Sequence, residues 1–172
     1  VFGLAFAVTL ATMPFADWLG RRLGAVTRAG GRYQSDADYR GVSRLGGIAL
    51  FAGFTVAVLA AQAIHVPRYD PQEVTRLLGL VLGGTFIFAI GLLDDIYHFG
   101  PVTLGVGQIV AAGIAVAFNI FIEYVNNPFT AQQTDPWPYA VTVVVTMFWL
   151  GLMMNTVNFM DGLDGLAAGV AF

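Results

Sequence analysis

Five long runs of apolar residues, separated by short polar connections, decide what this chain can fold into. A helix needs about 20 apolar residues to cross the hydrocarbon core of a bilayer, with a range of about 17 to 25. The five runs have lengths near this value, and a sixth begins near Leu166. They are Val1 to Leu19, Leu45 to Val66, Leu77 to Leu93, Val102 to Val125 and Tyr139 to Val157. The pattern predicts an all-α fold, a polytopic transmembrane helical bundle with about five complete spans and the start of a sixth.

The composition supports a membrane protein. The chain is 57% hydrophobic and 11% charged, whereas a soluble domain carries about 25% charged residues. Cysteine is absent, so any metal must be held by oxygen atoms or by His65 and His98. The chain starts without Met and ends within the sixth run. We therefore expect residues 1–172 to be a single integral membrane domain that is truncated at both ends.

The basic residues predict which connections face the cytoplasm. The connection from Gly20 to Arg44 holds six of the eight basic residues of the chain. By the positive-inside rule this loop is cytoplasmic. Five alternating crossings then place the connections at Asp94 and at Asp161 on the same side, and Asn126 to Pro138 outside as an ordinary exposed turn. We expect the three cytoplasmic connections to contribute to one site.

The C-terminal end of the chain carries a cluster of polar residues spaced by three. It consists of Asn155, Asn158, Asp161 and Asp164. Side chains three apart lie on one side of a helix, so the first three of these residues are expected to project together from the end of a span. Ionisable groups at membrane depth cost about 3 kcal/mol each on insertion scales and usually mark functional sites. Gly162 and Gly165 leave room there for a phosphate or a metal.

A pair of adjacent carboxylates, Asp94 and Asp95, ends the third apolar run. Adjacent helical residues diverge by about 100°, so one carboxylate can hold a hard cation while the other faces a nucleophile or a basic group. The structural alternatives are that both solvate a loop, or that Asp95 caps the next helix. His98 shares a helix face with Asp94 only if the helix continues, and Gly100-Pro101 predicts that it ends nearby. This favours a surface role for His98.

Arg44 begins the sequence Arg44-Leu45-Gly46-Gly47 at the start of the second run. An arginine beside two glycines can reach a phosphate bidentately, because the bare backbone allows close approach. The alternative is an ordinary arginine at the cytoplasmic end of a span, with glycines that serve helix packing.

These motifs together resemble the polyprenyl-phosphate N-acetylhexosamine-1-phosphate transferases. Arg44 to Phe51 is similar to the RLGG motif of that family, Gly91 to Pro101 to its acidic-pair motif, and Asn155 to Gly169 to its NxxNxxDGLDGLAAG signature. Arg-Leu-Gly-Gly and Asp-Asp-Ile-Tyr resemble the undecaprenyl-phosphate GlcNAc-1-phosphate transferase branch more than the phospho-MurNAc-pentapeptide transferases. In the first cytoplasmic loop the chain departs from the family pattern, because Thr27-Arg28-Ala29 stands where an Asp-x-Pro is usual.

The resemblance implies an Mg²⁺-dependent enzyme, with Mn²⁺ as an alternative metal, that transfers a sugar-1-phosphate from a UDP-N-acetylhexosamine to undecaprenyl phosphate and releases UMP. It implies that Asp94 and Asp95 are catalytic and that Asp95 and Asn158 contact the metal. Substrate-binding roles fall to Arg44, Asn155, Asp161 and Asp164.

The expected location is the bacterial plasma membrane, with several crossings and a cytoplasmic active site. The lipid bilayer is then a partner, a homodimer is left open, and no nucleic-acid partner is expected. The alternatives are a phospho-MurNAc-pentapeptide transferase, a cation transporter and a membrane assembly subunit without chemistry. A transporter predicts acids near the bilayer midplane and an inverted repeat, whereas the acids here lie at span ends.

Overall fold

The computed structural model describes residues 1–26, 43–64, 70–126 and 132–160, and most of these residues are helical. The helices are α1 (Phe2–Leu23), α2 (Gly46–Ala63), α3 (Glu73–Tyr97), α4 (Pro101–Ala117) and α5 (Tyr139–Met160). Four of these helices are long and apolar enough to cross a membrane, and α4 is a shorter apolar helix. The predicted all-α fold and helical membrane bundle are thereby confirmed. The start of the sixth run lies outside the described residues.

The fourth apolar run is helical over only part of its length. Its helix ends at Ala117, and Asn119 then takes a left-handed φ of 60°. The following residues, Ile120 to Val125, are mostly β-branched or aromatic, which favours extended backbone. They pair with the residues before α5, where the amide of Thr134 donates to the carbonyl of Val125 at 3.0 Å. The predicted outer turn therefore contains an irregular hairpin in its described part.

Small side chains fill the interior, while large apolar side chains face outward. The buried apolar residues are Ala16, Ala25, Leu45, Ala49, Ala57, Ala111 and Ala112. The exposed residues include Phe6, Leu10, Leu59 and Phe148. In a bilayer an outward-facing leucine meets lipid, so its exposure costs little, and helices associate where small residues let their backbones approach. The buried positions therefore mark the helix contacts.

The described chain divides into two compact units. The first comprises Val1–Tyr69 and Phe88–Leu104, and the second comprises Asp70–Ile87 and Gly105–Phe172. The expectation of a single domain over the whole chain stays a prediction.

In the first unit α1 and α2 pack through small residues. Ala49, Gly53 and Ala57 are spaced by four along α2 and are buried. A Cβ atom on Gly53 would overlap the hydroxyl of Thr9 and lie 2.8 Å from the carbonyl oxygen of Ala5, both on α1. The two backbones can approach this closely only because glycine occupies position 53.

An aromatic stack joins α2 to the C-terminal part of α3. The rings of Phe51 and Phe88 lie with centroids 4.1 Å apart and an interplanar angle of 4°. Aromatic pairs of this kind contribute about 0.5 to 1.5 kcal/mol beyond their buried area. Because Phe51 lies early in α2 and Phe88 late in α3, the stack brings the start of α2 alongside the end of α3.

In the second unit Arg76 ties the start of α3 to the turn after α4. Its Nε donates to the carbonyl of Asn119 at 3.1 Å, and its Nη1 lies 2.8 Å from a carboxylate oxygen of Asp70. Gly83 faces α4, where a Cβ atom would lie 3.4 Å from the carbonyl oxygen of Ala111. These contacts fix how the two helices meet.

Candidate active site

The start of α2 presents an arginine beside a bare stretch of helix. The Ser43 hydroxyl accepts a hydrogen bond from the amide of Leu45 at 3.1 Å, and the amide of Arg44 donates to the carbonyl of Ala25 at 2.9 Å. These bonds fix the backbone on both sides of the arginine. Cβ atoms on Gly46 and Gly47 would meet no atom of the described residues within 4 Å. The described part of the chain therefore leaves room for a ligand beside the first turn of α2.

The acidic pair belongs to the same unit and lies on the last turn of α3. Asp94 and Asp95 are both half-buried. The Oδ1 atom of Asp94 is buried and accepts no hydrogen bond from any described residue. A buried oxygen without a partner costs about 1 to 3 kcal/mol, and more if it is charged. Such an atom suits a cation or a donor group that comes from a ligand.

His98 connects the acidic pair to Arg44. It follows the last residue of α3 and takes a left-handed φ of 57°. Its amide donates to the carbonyl of Asp94 at 2.7 Å, and its Nε2 lies 3.4 Å from Nη1 of Arg44. Two motifs far apart in the sequence thus meet through one side chain. The helix ends near Gly100-Pro101 as predicted, so His98 does not continue the helix face of Asp94.

In the second unit the end of α5 is joined to α4 by a reciprocal pair of amides. The Nδ2 atom of Asn155 donates to Oε1 of Gln108 at 2.7 Å and to the carbonyl of Gly151 at 2.9 Å. Nε2 of Gln108 donates back to Oδ1 of Asn155 at 3.4 Å. Sequence reasoning missed Gln108 as a site residue. The available signal was an amide side chain inside an apolar helix, which needs a partner in a membrane.

A groove between α4 and α5 runs beside this amide pair and has a cavity volume of about 510 Å³. Its walls are Gly105, Gln108, Ile109, Met147, Phe148, Gly151, Leu152 and Asn155. The groove is apolar apart from the two amides.

The remaining predicted site residues divide as follows. Asn158 is exposed on α5, one turn after Asn155, while Asp161 and Asp164 lie outside the described residues. Arg44 and the acidic pair belong to the first unit, and the two asparagines belong to the second. Their union in one site stays a prediction.

The acidic pair fits a magnesium ion by its chemistry. No three His, Asp or Glu side chains among the described residues come together in a group that could hold a metal. Mg²⁺, however, is usually bound by one or two carboxylates together with waters and substrate phosphates. A buried, unpaired oxygen of Asp94 beside a second carboxylate is a donor set of that kind.

The helices and these polar helix ends define a polytopic α-helical membrane protein with an acidic site at the end of α3. The family model for glycosyl transferase family 4 matches residues 77–172, a segment that includes both acidic motifs. The chain belongs to this family.

Curated relatives carry two kinds of name. The chain is 32% identical to the decaprenyl-phosphate N-acetylglucosaminephosphotransferase of Mycobacterium tuberculosis over 88% of its own length and 37% of that protein. It is 28% identical to a probable undecaprenyl-phosphate N-acetylglucosaminyl 1-phosphate transferase of Bacillus subtilis, over 98% of the chain and 44% of the relative. It is 29% identical to the phospho-N-acetylmuramoyl-pentapeptide-transferase of Listeria monocytogenes, over 99% of the chain and 54% of the relative.

The chain thus spans only about two fifths of the length of the N-acetylglucosamine relatives, at 37% and 44%. No solved structure matches the chain.

Proposed function

We propose that the full-length protein transfers a sugar-1-phosphate, GlcNAc-1-phosphate in particular, from a UDP-sugar to a polyprenyl phosphate. The observation that carries the proposal is the buried carboxylate oxygen of Asp94, which has no hydrogen-bond partner among the described residues and lies in the segment matched by the family model. The names of the N-acetylglucosamine relatives support the substrate pair. A polyprenyl phosphate has its reactive group at the membrane surface, where the helix ends with Arg44 and Asp94 are expected to lie.

The reaction is a phosphoryl-group displacement without oxidation or reduction. An oxygen of the lipid phosphate attacks the phosphorus that carries the sugar, and a new P–O bond forms. The bond from that phosphorus to the oxygen shared with the uridine monophosphate breaks, and UMP leaves with the electron pair. The products are a polyprenyl diphosphate sugar and UMP. Such displacements depend mainly on positioning and on neutralisation of phosphate charge.

The residues of this chain divide that work. Arg44 has five N–H donors in a planar fork and binds phosphate oxygens. Asp94 faces the lipid phosphate and accepts a proton from it when the attacking oxygen is protonated. Asp95 orients the site and, together with Asn158, would hold the metal. The nucleotide is bound by Asn155, Asp161 and Asp164. For this, Asn155 must first release or rearrange its hydrogen bonds to Gln108.

A bound Mg²⁺, or Mn²⁺ in its place, would neutralise charge on the diphosphate and help to align it. Asp95, Asp94 and Asn158 supply oxygen ligands of the type that such an ion prefers. We propose the bacterial plasma membrane as the location, because the named relatives are bacterial. We propose the cytoplasmic side for the site, because the basic residues before α2 predict that side.

The test is a direct comparison of donors with purified full-length protein and undecaprenyl phosphate. We expect UMP release with UDP-GlcNAc or a close epimer, and none with UDP-MurNAc-pentapeptide. A site that hydrogen-bonds the groups of one sugar rejects a donor that leaves those partners unpaired. Turnover of the pentapeptide donor alone would assign the protein to the other branch. Absence of turnover with both donors would refute the proposed activity.

A further inference from the structure

His98 ends α3 in a left-handed backbone conformation, with φ near +57°. Non-glycine residues with φ near +57° are uncommon, and the strain costs on the order of 1 kcal/mol or more. Glycine adopts the same conformation readily, and asparagine adopts it more easily than most residues. Histidine, like asparagine and aspartate, is several-fold enriched among the non-glycine residues that adopt it.

The side chain of His98 contacts the arginine of the other motif. The Nε2 to Arg44 Nη1 distance of 3.4 Å is within hydrogen-bond range. A guanidinium only donates hydrogen bonds, so Nε2 must be the acceptor and the ring must be neutral, with its proton on Nδ1. The bond uses one of the five donors of Arg44, and the other four remain for a phosphate.

An arginine side chain that is already oriented binds a ligand at lower entropic cost. A free arginine carries about 2 kcal/mol of rotamer entropy, and part of this is lost when it closes on a phosphate. Arg44 is exposed, so packing does little to fix its conformation. The backbone of His98, which carries the neighbouring imidazole, is fixed by the hydrogen bond that its amide donates to the carbonyl of Asp94 at 2.7 Å.

We propose that His98 is a positioning residue whose neutral imidazole holds the Arg44 guanidinium in the orientation that receives a substrate phosphate. This inference rests on the proposed function, because that function supplies the phosphate. The phosphate belongs either to the nucleotide sugar or to the lipid acceptor. His98 itself touches neither substrate in this proposal.

The substitution His98→Gly separates the side chain from the backbone. Glycine satisfies the left-handed turn, so a purely structural histidine would be replaced without loss of stability or activity. For a positioning residue we expect unchanged or higher thermal stability of the full-length protein. We also expect the KM for one phosphate substrate to rise about two- to tenfold, the effect of one hydrogen bond, with kcat altered less. His98→Asn, which keeps an acceptor and tolerates the turn, should recover part of that loss.

Two arms of the experiment identify the phosphate. A rise in KM confined to UDP-GlcNAc assigns Arg44 to the nucleotide sugar, and a rise confined to undecaprenyl phosphate assigns it to the lipid. In an Arg44→Ala background, His98→Gly should have no further effect on the same KM. Wild-type KM values for both substrates in His98→Gly, or a full additional loss in the Arg44→Ala background, would overturn the inference. Inactive wild-type protein would instead overturn the proposed function itself.

Discussion

Asp94 is the residue whose surroundings are hardest to explain by packing alone. A buried carboxylate oxygen normally receives a hydrogen bond, and Oδ1 of Asp94 receives none from the described part of the chain. Asp95 is adjacent and also half-buried. Two neighbouring carboxylates in this setting are stabilised when a cation or a proton donor is bound. The energetic cost in the free protein is thus consistent with a role in binding and catalysis.

We predict that Asp94→Asn and Asp95→Asn each lower the turnover of the full-length protein by at least about a hundredfold, the scale of losing a major catalytic interaction. Each change removes a negative charge and keeps the side-chain shape. The measurement is the initial rate of UMP release at saturating substrates. Asp135→Asn is the matched control, because Asp135 is an exposed carboxylate just before α5. Near-normal turnover in both site variants would exclude the acidic pair from catalysis.

At the scale of single residues, the sequence predicted the residue types of the candidate site but not their contacts. The spacing of Asn155, Asn158 and Asp161 indicated a polar helix end, and the described part of α5 carries the first two of them as expected. The contact between Arg44 and His98 was not predictable, because it depends on how α2 and α3 pack and on a left-handed residue after α3. Periodicity carries no information about a single residue that leaves the helical conformation.

At the scale of the helices, small residues determine the contacts. A Cβ atom added at Gly53 would overlap the Thr9 side chain and approach the backbone of Ala5 on α1. A buried helix contact of this kind is therefore more sensitive to added volume than to lost volume. This is the reverse of the usual experience with soluble proteins, in which removing core methyl groups is the common cause of instability.

We predict that Gly53→Ala lowers the thermal stability of the protein in detergent, because α1 and α2 must separate by part of an ångström. The expected loss is about 1 to 3 kcal/mol, typical of overpacking. Gly84→Ala is the control, since a Cβ atom there would meet nothing within 4 Å. That variant should be as stable as the wild type or slightly more so, because alanine favours helix. Equal melting temperatures for the two variants would contradict the packing described for α1 and α2.

The amide pair between α4 and α5 gives a second prediction for the helices. Gln108→Leu should destabilise the protein by about 0.6 kcal/mol, and by about 1.7 kcal/mol at most, the range measured for hydrogen bonds between membrane helices. The exchanged pair Gln108→Asn with Asn155→Gln keeps one long and one short amide, and should recover part of the loss. A double-mutant cycle on unfolding free energies measures the coupling energy between positions 108 and 155. Zero coupling would show that the two amides act independently.

The helix boundaries show where sequence reasoning about elements succeeds and fails. Apolar run length located all five helices, because about 20 apolar residues in a row leave few alternatives. It failed after Ala117, where the residues stay apolar but the chain becomes extended. Hydropathy cannot distinguish a helix from an extended apolar segment. The left-handed Asn119 and the β-branched residues after it decide the outcome.

At the scale of the whole molecule, the basic residues predict orientation. The concentration of arginines between Gly20 and Arg44 indicates that α1 ends and α2 begins on the cytoplasmic side. Ser35 in this connection lies outside the described residues, whereas Thr134 is part of the hairpin before α5. If the predicted crossings are correct, these two positions face opposite sides of the membrane.

We predict that single cysteines at Ser35 and Thr134, introduced into a cysteine-free background of the full-length protein, label from opposite sides. The assay is modification of intact and permeabilised cells, or of inverted vesicles, with a membrane-impermeant thiol reagent. Thr134→Cys should react from outside and Ser35→Cys only after access to the cytoplasm. Labelling of both from one side would rule out the predicted topology and, with it, a common face for the polar helix ends.

The outward placement of leucine and phenylalanine has a consequence for how the protein is made. The four long helices of the described residues are each apolar enough to cross a membrane, so each is expected to be stable in the bilayer without its neighbours. The buried glycines and alanines become important only afterwards, when the inserted helices find one another. A defect at Gly53 should thus yield chains that are fully inserted yet wrongly assembled. Such a defect would therefore act after insertion, at the stage when the helices associate.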